Sequence, residues 1–190
     1  DYKGPFKIEY EFNDELSVLF FETIILLTGL DEYGKKVESK QRIGYYRYRA
    51  IEFLKDKKDQ EQYGDVKGIS KRLAGIMKTL LIKRLESSFY AFKSSLSNLL
   101  KNTRHMIEMF ENDKIYIAPD VNVNKYLDEG KLEELEAKMN EKGGNNKTYT
   151  KSKFKKEFID LLKTDKDKIF NLVTRWKAID YDPKWNTFIQ

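Results

Sequence analysis

Nine basic side chains, Lys67, Lys71, Arg72, Lys78, Lys83, Arg84, Lys93, Lys101 and Arg104, fall within one stretch whose only acid is Glu86. A helix steadied by its own ion pairs mixes signs at i and i+4, so this run calls for an external anion or for acids elsewhere in the fold. Phosphate is the commonest such anion, and Lys78, Lys83, Arg84, Ser87, Ser88 and Lys93 are the candidates for contact with a nucleic-acid backbone. Ser87, Ser88, Ser94, Ser95 and Ser97 keep one side of the run thin, which admits either a phosphate or a neighbouring helix. The alternative source of counter-charge is internal: Glu133, Glu134 and Glu136 crowd a short segment that can lie against the basic run. Tyr45-Tyr46-Arg47-Tyr48-Arg49 interleaves aromatics with arginines, a pattern suited to stacking on bases, but on a helix Arg49 also meets Glu52 or Phe53 one turn on.

No complete catalytic set accompanies these groups. The chain has no cysteine, which removes thiolate nucleophiles, thiolate metal sites and disulfides and points to a reducing, cytoplasmic setting. His105 is the single histidine. Gly34-Lys35-Lys36 lacks the rest of a phosphate-binding loop, and Ile24 to Glu32 imitates the apolar strand and Asp-Glu pair of nucleotide hydrolases while keeping helical spacing. An enzyme in its own right would have to use paired carboxylates such as Asp180 and Asp182, with little support from spacing. The reading is therefore a chain with no catalytic, cofactor or metal site of its own. Val18 to Leu27 is interrupted by Glu22 and falls short of the roughly 20 apolar residues that span a bilayer, so no membrane partner is expected.

The elements that must carry these residues follow from periodicity. Of 190 residues, 36 are Lys or Arg and 31 Asp or Glu, giving a net charge of +5 in a chain with 35% charged residues, and that much surface chemistry suits an elongated shape. Phe6, Ile8, Tyr10 and Phe12 alternate as a strand does over 6–12. Asn13 caps a helix over 14–29, and helical spacing returns over 43–55, followed by a solvated charged connector from Lys55 to Asp65. From Val66 to Phe110 the apolar period is unbroken by proline, predicting one very long helix on the order of 60 Å, with Gly75 its weak point. A strand at Lys114–Ala118 is placed to pair with 6–12. Helices follow at 131–141, 151–163 and 166–179, the last two separated by a capping box of Thr164 and Asp167. The fold expected is mainly α, an elongated helical domain with one very long central helix and a minimal two-stranded β element. The start at Asp1 and the stop in mid-pattern at Gln190 suggest a piece of something longer.

Lys83-Arg84-Leu85-Glu86-Ser87-Ser88-Phe89-Tyr90-Ala91-Phe92-Lys93 resembles the helical region of bacterial Swi/Snf-related, superfamily-two helicase-like ATPases, where a basic-x-Ser-Ser-aromatic-x-Ala helix lies between two RecA-like motor lobes. Tyr45 to Leu54 is similar to the Tyr-x-Arg-Tyr-Arg-x-Ile-x-x-Leu element ahead of it. Asp182-Pro183-Lys184-Trp185 is similar to the opening of the second lobe, with Trp185 where the family usually has Leu. The resemblance implies that residues 1–181 are a helical insertion and 182–190 the truncated start of the second lobe. It also implies a parent that uses ATP and magnesium, with its phosphate-binding loop before residue 1 and its arginine finger after residue 190. The partners implied are duplex DNA, held through its phosphates, and the flanking lobes. The alternative is a protein-interaction scaffold whose basic long helix docks an acidic partner or self-associates.

Overall fold

The computed structural model describes residues 11–188, apart from the side chains at 66, 67, 186 and 188. The strand expected over 6–12 lies outside the described residues except for Glu11 and Phe12, which are in no strand. Helix α1 (Asp14–Thr28) begins where Asn13 Oδ1 accepts the Leu16 N–H at 2.9 Å. It ends where Gly29 takes φ 73°, a left-handed value that glycine adopts without steric penalty. Both ends agree with the expected 14–29 helix.

Residues 43–55 are not the α-helix that their spacing suggests; Tyr46–Phe53 form a 3-10 helix. The start of this segment is pinned from far along the chain. The carboxylate of Asp165 accepts the Gly44 N–H at 2.8 Å and the Tyr46 N–H at 3.0 Å, so a tertiary partner caps the start of the 3-10 helix. Tyr45 between them sits at φ 53°, its hydroxyl donating to the Leu27 carbonyl at 3.0 Å. Within the charged connector a short helix forms, α2 (Lys57–Glu61), with Asp56 as its N-cap.

The long helical run is present but divided. Helix α3 (Val66–Ser87) and helix α4 (Phe89–Glu111) are separated by the single residue Ser88, extended at φ −156° and ψ 125°. Gly75 lies inside α3 and breaks nothing. Strand β1 (Ile115–Ile117) finds its partner in a segment later in the chain, so the pairing expected with 6–12 is replaced among the described residues. After α5 (Val123–Asp128) and α6 (Leu132–Lys142) comes β2 (Lys147–Tyr149), antiparallel to β1 with Tyr116 opposite Thr148. The two helices expected over 151–179 become a 3-10 turn at Lys151–Lys153 and one continuous helix, α7 (Glu157–Ala178). Thr164 does not cap; its hydroxyl donates to the Asp160 carbonyl at 2.9 Å within the helix. Helix α8 (Pro183–Phe188) ends the described chain.

Helices α4 and α7 run antiparallel and hold two cores end to end. Phe89, Phe92, Leu96 and Leu99 of α4 meet Ile169, Leu172 and Trp176 of α7, with Leu16, Leu19 and Leu27 of α1 and Leu81 and Leu85 of α3 closing the cluster. At the other end Met106, Ile107 and Phe110 meet Phe158 and Leu162, covered by the 3-10 helix, the β pair and α6. Trp176 is fully buried; Phe89 and Phe92 pack edge-on to it at 4.9 and 5.2 Å, and its indole N–H donates to Thr23 Oγ1 at 2.9 Å. The architecture is mainly helical, elongated along this pair, with one two-stranded antiparallel sheet among the described residues.

Candidate functional site

Lys78, Lys93 and Lys184 have one job in common: each donates to backbone carbonyls where a helix ends. Lys78 Nζ reaches the Thr28 carbonyl, the last of α1, at 2.8 Å. Lys93 bonds the Ile179 carbonyl just past α7, and Lys184 bonds the Leu85 carbonyl at 2.9 Å and that of Glu86, in the last turn of α3. The last carbonyls of a helix have no partner in the helix and carry the negative end of its dipole, so an ammonium there satisfies both. Burial holds Lys78 and Lys184 below the ordinary lysine range; Arg42 adds to the effect at Lys78, while Asp182 and Glu86 oppose it at Lys184.

The junction at Ser88 is clasped from both sides. Ser88 Oγ accepts the Ala91 N–H at 3.3 Å, the bond of an N-cap, and Asp182 Oδ2 accepts the Phe89 N–H at 3.0 Å. Asp182 thus brings an anion to the positive end of α4 while Lys184, two residues on, brings a cation to the negative end of α3. Pro183 between them is buried and opens α8. Lys184 Nζ also stands 5.1 Å from the Phe89 ring. Beside the clasp lies a groove of about 660 Å³, with Ser87, Tyr90, Lys93, Asp180, Tyr181 and Trp185 on its walls. Its lining carries both signs of charge.

The remaining cations of the run divide by partner. Lys101 pairs with Asp128 of α5 at 2.7 Å, Arg72 reaches Asp65 at 3.9 Å, Arg104 stacks over Phe170 with its guanidinium carbon 5.8 Å from the ring centre, and Arg84 donates to the Ser95 hydroxyl. Lys71 and Lys83 are exposed and make no ion pair among the described residues. The acids of α6 pair with neither α3 nor α4 there: Glu136 takes Lys114 and the Tyr116 hydroxyl, and Glu134 takes Lys131 at 3.7 Å. Of the six candidate phosphate ligands, Lys83, Arg84 and Ser87 gather at the exposed end of α3, while Lys78, Lys93 and Ser88 spend their polar groups on caps.

Arg49 lies over the Tyr46 ring at 5.1 Å and forks onto Glu52, with one guanidinium nitrogen 2.8 Å away, and Arg47 lies over Tyr48, so in this segment both arginines engage side chains of the fold. His105, largely buried, faces Asp128 at 3.3 Å. Asp182 is occupied by the Phe89 and Lys184 N–H groups, and among the described residues no group of three or more His, Asp or Glu stands close enough to hold a metal ion. No helix among them is long and apolar enough to cross a membrane. Reasoning from spacing missed Asp165, and it singled out Asp182 and Lys184 as a motif without their role as helix caps. Asp165 left a signal: Phe158, Leu162, Asp165, Ile169, Leu172 and Trp176 alternate by four and three, so the acid stands in a core position of α7. Comparison of the chain with protein-family models, with curated proteins and with solved structures returns no match in any of the three.

Proposed function

We propose that this chain is a non-catalytic helical coupling module of an ATP-driven nucleic-acid motor of the Swi/Snf-related helicase kind, set between two RecA-like lobes that bind the ATP and magnesium. The observation that carries the reading is the clasp at Ser88. In the proposed parent the Asp182-Pro183-Lys184 segment opens the second lobe, and here its two charged side chains hold the facing ends of α3 and α4. Any displacement of that lobe then pulls on the junction of the two helices, the arrangement a lever needs. Backbone phosphates of duplex DNA are met by Lys83, Arg84 and Ser87, the exposed members of the candidate set.

The test is binding of duplex DNA, followed by fluorescence anisotropy across a salt series. Affinity independent of sequence and falling steeply with salt is expected, and Lys83→Glu together with Arg84→Glu should flatten the salt slope by about two phosphates' worth. Binding that ignores both salt and charge reversal removes the phosphate role.

A second reading, a scaffold that docks a protein partner, is favoured by one feature: the outward face of α3 is apolar at Leu73, Ile76 and Leu80.

A further inference from the structure

Helix α3 carries one wide apolar arc, and part of that arc is exposed. Leu81 and Leu85 are fully buried against α1 and the 3-10 helix, whereas Leu73, Ile76 and Leu80 are 44, 57 and 45% exposed. At about 100° per residue these three fall on one strip whose centre lies about 105° round the helix from Leu81, continuous with the buried face through Met77. Arg72 and Lys83 border the strip along one edge and Arg84 along the other. Arg72, Gly75, Ile76, Thr79, Leu80 and Lys83 line a shallow groove of about 500 Å³. A Cβ placed on Gly75 would meet nothing within 4 Å, so backbone can approach closely there. An amphipathic surface helix turns its apolar arc to the core, and a strip of that arc left exposed is one that a partner covers.

We propose that this outward face of α3 docks a single amphipathic helix whose apolar strip is edged with carboxylates. The charge pattern selects the occupant. Glu86 is the only acid of α3, Lys83 makes no ion pair among the described residues, and Arg72 has only Asp65 at 3.9 Å, so the edge these two form is open to acids on an incoming helix. A second copy in antiparallel register would set Arg72 and Lys83 against the same bases. Three apolar side chains also fall well short of the roughly 1,000 Å² expected of a stable dimer. The docked helix is held weakly and exchanges readily. The proposal shares Lys83 and Arg84 with the motor reading but is separable from it, since the apolar strip of Leu73, Ile76 and Leu80 has no part in phosphate contacts.

The experiment measures anisotropy of two fluorescein-labelled helical peptides of about 18 residues, five turns, identical in their leucine strip and edged with Glu in one and Lys in the other. Against the full chain the Glu-edged peptide should bind in the micromolar range and the Lys-edged one about tenfold or more weakly. Ile76→Ser with Leu80→Ser, both at exposed positions, should weaken the Glu-edged peptide about tenfold while leaving duplex-DNA binding unchanged. Equal binding of the two peptides overturns the proposal. So does retention on phosphatidylglycerol vesicles that the serine substitutions abolish while the Glu-edged peptide stays unbound, which makes the face a membrane surface. Concentration-dependent dimerisation abolished by the same substitutions overturns it in favour of self-association. Loss of DNA binding on Lys83→Glu with Arg84→Glu bears on the motor reading alone.

Discussion

Side chain by side chain, the basic run is balanced from three sources: acids on neighbouring elements, the negative ends of helices, and solvent. A count of charges registers only the first, which is why nine bases against one acid read as a demand for an external anion. Lys78 and Lys93 meet that demand with carbonyls, whereas Lys71, Arg72, Lys83 and Arg84 stay exposed on α3. Asp165 is the inverse case, an acid drawn into a core position because the Gly44 and Tyr46 N–H groups need an acceptor. Burial holds its carboxyl above the ordinary carboxylate range, and the two peptide donors draw it part of the way back. A folded-state value above the unfolded one means that the folded chain binds this proton more tightly. The contribution to stability is then complete below the unfolded value and declines as pH rises through the folded one. Asp165→Asn lacks that slope. The difference in urea-unfolding free energy between parent and variant should therefore narrow as pH rises from about 4 to about 7. A constant or widening difference would contradict the assignment.

At the level of elements, local signals were sufficient wherever a cap or a period settled the outcome alone. Asn13 and Gly29 mark the ends of α1, and the glycine pair after Lys142 stops α6. They failed wherever a distant side chain intervened. Ser88 is an ordinary helical serine by period, and only Asp182 and Lys184, far along the chain, make it a boundary. The start of the 3-10 helix is capped by Asp165 in the same way, and Thr164, predicted as a cap between two helices, lies inside one, its hydroxyl bonded back to the Asp160 carbonyl. The candidate site was legible to the same extent: the exposed end of α3 was found, while the residues of the clasp were noticed as a motif but not as caps. The clasp predicts a specific non-additivity. Lys184→Met keeps the aliphatic stem and leaves two carbonyls of α3 unpaired, and Asp182→Ala leaves the Phe89 N–H without its acceptor. Each should cost about 1–2 kcal/mol in chemical denaturation. Either loss loosens α8 from the junction, so the double variant should cost less than the sum of the two by about 0.5 kcal/mol or more. Simple additivity would show that the two caps act independently and that α8 is not held as a unit.

Taken as a whole, the molecule is two apolar clusters threaded on the same pair of long helices. Phe158 stacks on Phe53 at 4.7 Å and on Phe154 at 5.6 Å in one cluster, and Trp176 sits among Phe89, Phe92 and Thr23 in the other. Neither cluster can open without fraying α4 and α7, whose backbones run through both, so a disturbance at one end must be felt at the other. The proposed coupling role needs this stiffness: motion applied at the Ser88 junction would reach the β pair only if the helices between do not yield. Phe158→Ala should cost about 3–5 kcal/mol through the cavity it leaves. In a Trp185→Phe background, where Trp176 is the sole indole, the urea midpoint from its fluorescence should fall together with the midpoint from far-ultraviolet circular dichroism. If the Trp176 transition instead keeps its parental midpoint while the circular dichroism separates into two steps, the clusters unfold as independent units. Force applied at the Ser88 clasp would then be dissipated between them, and the coupling role would lose its mechanical basis.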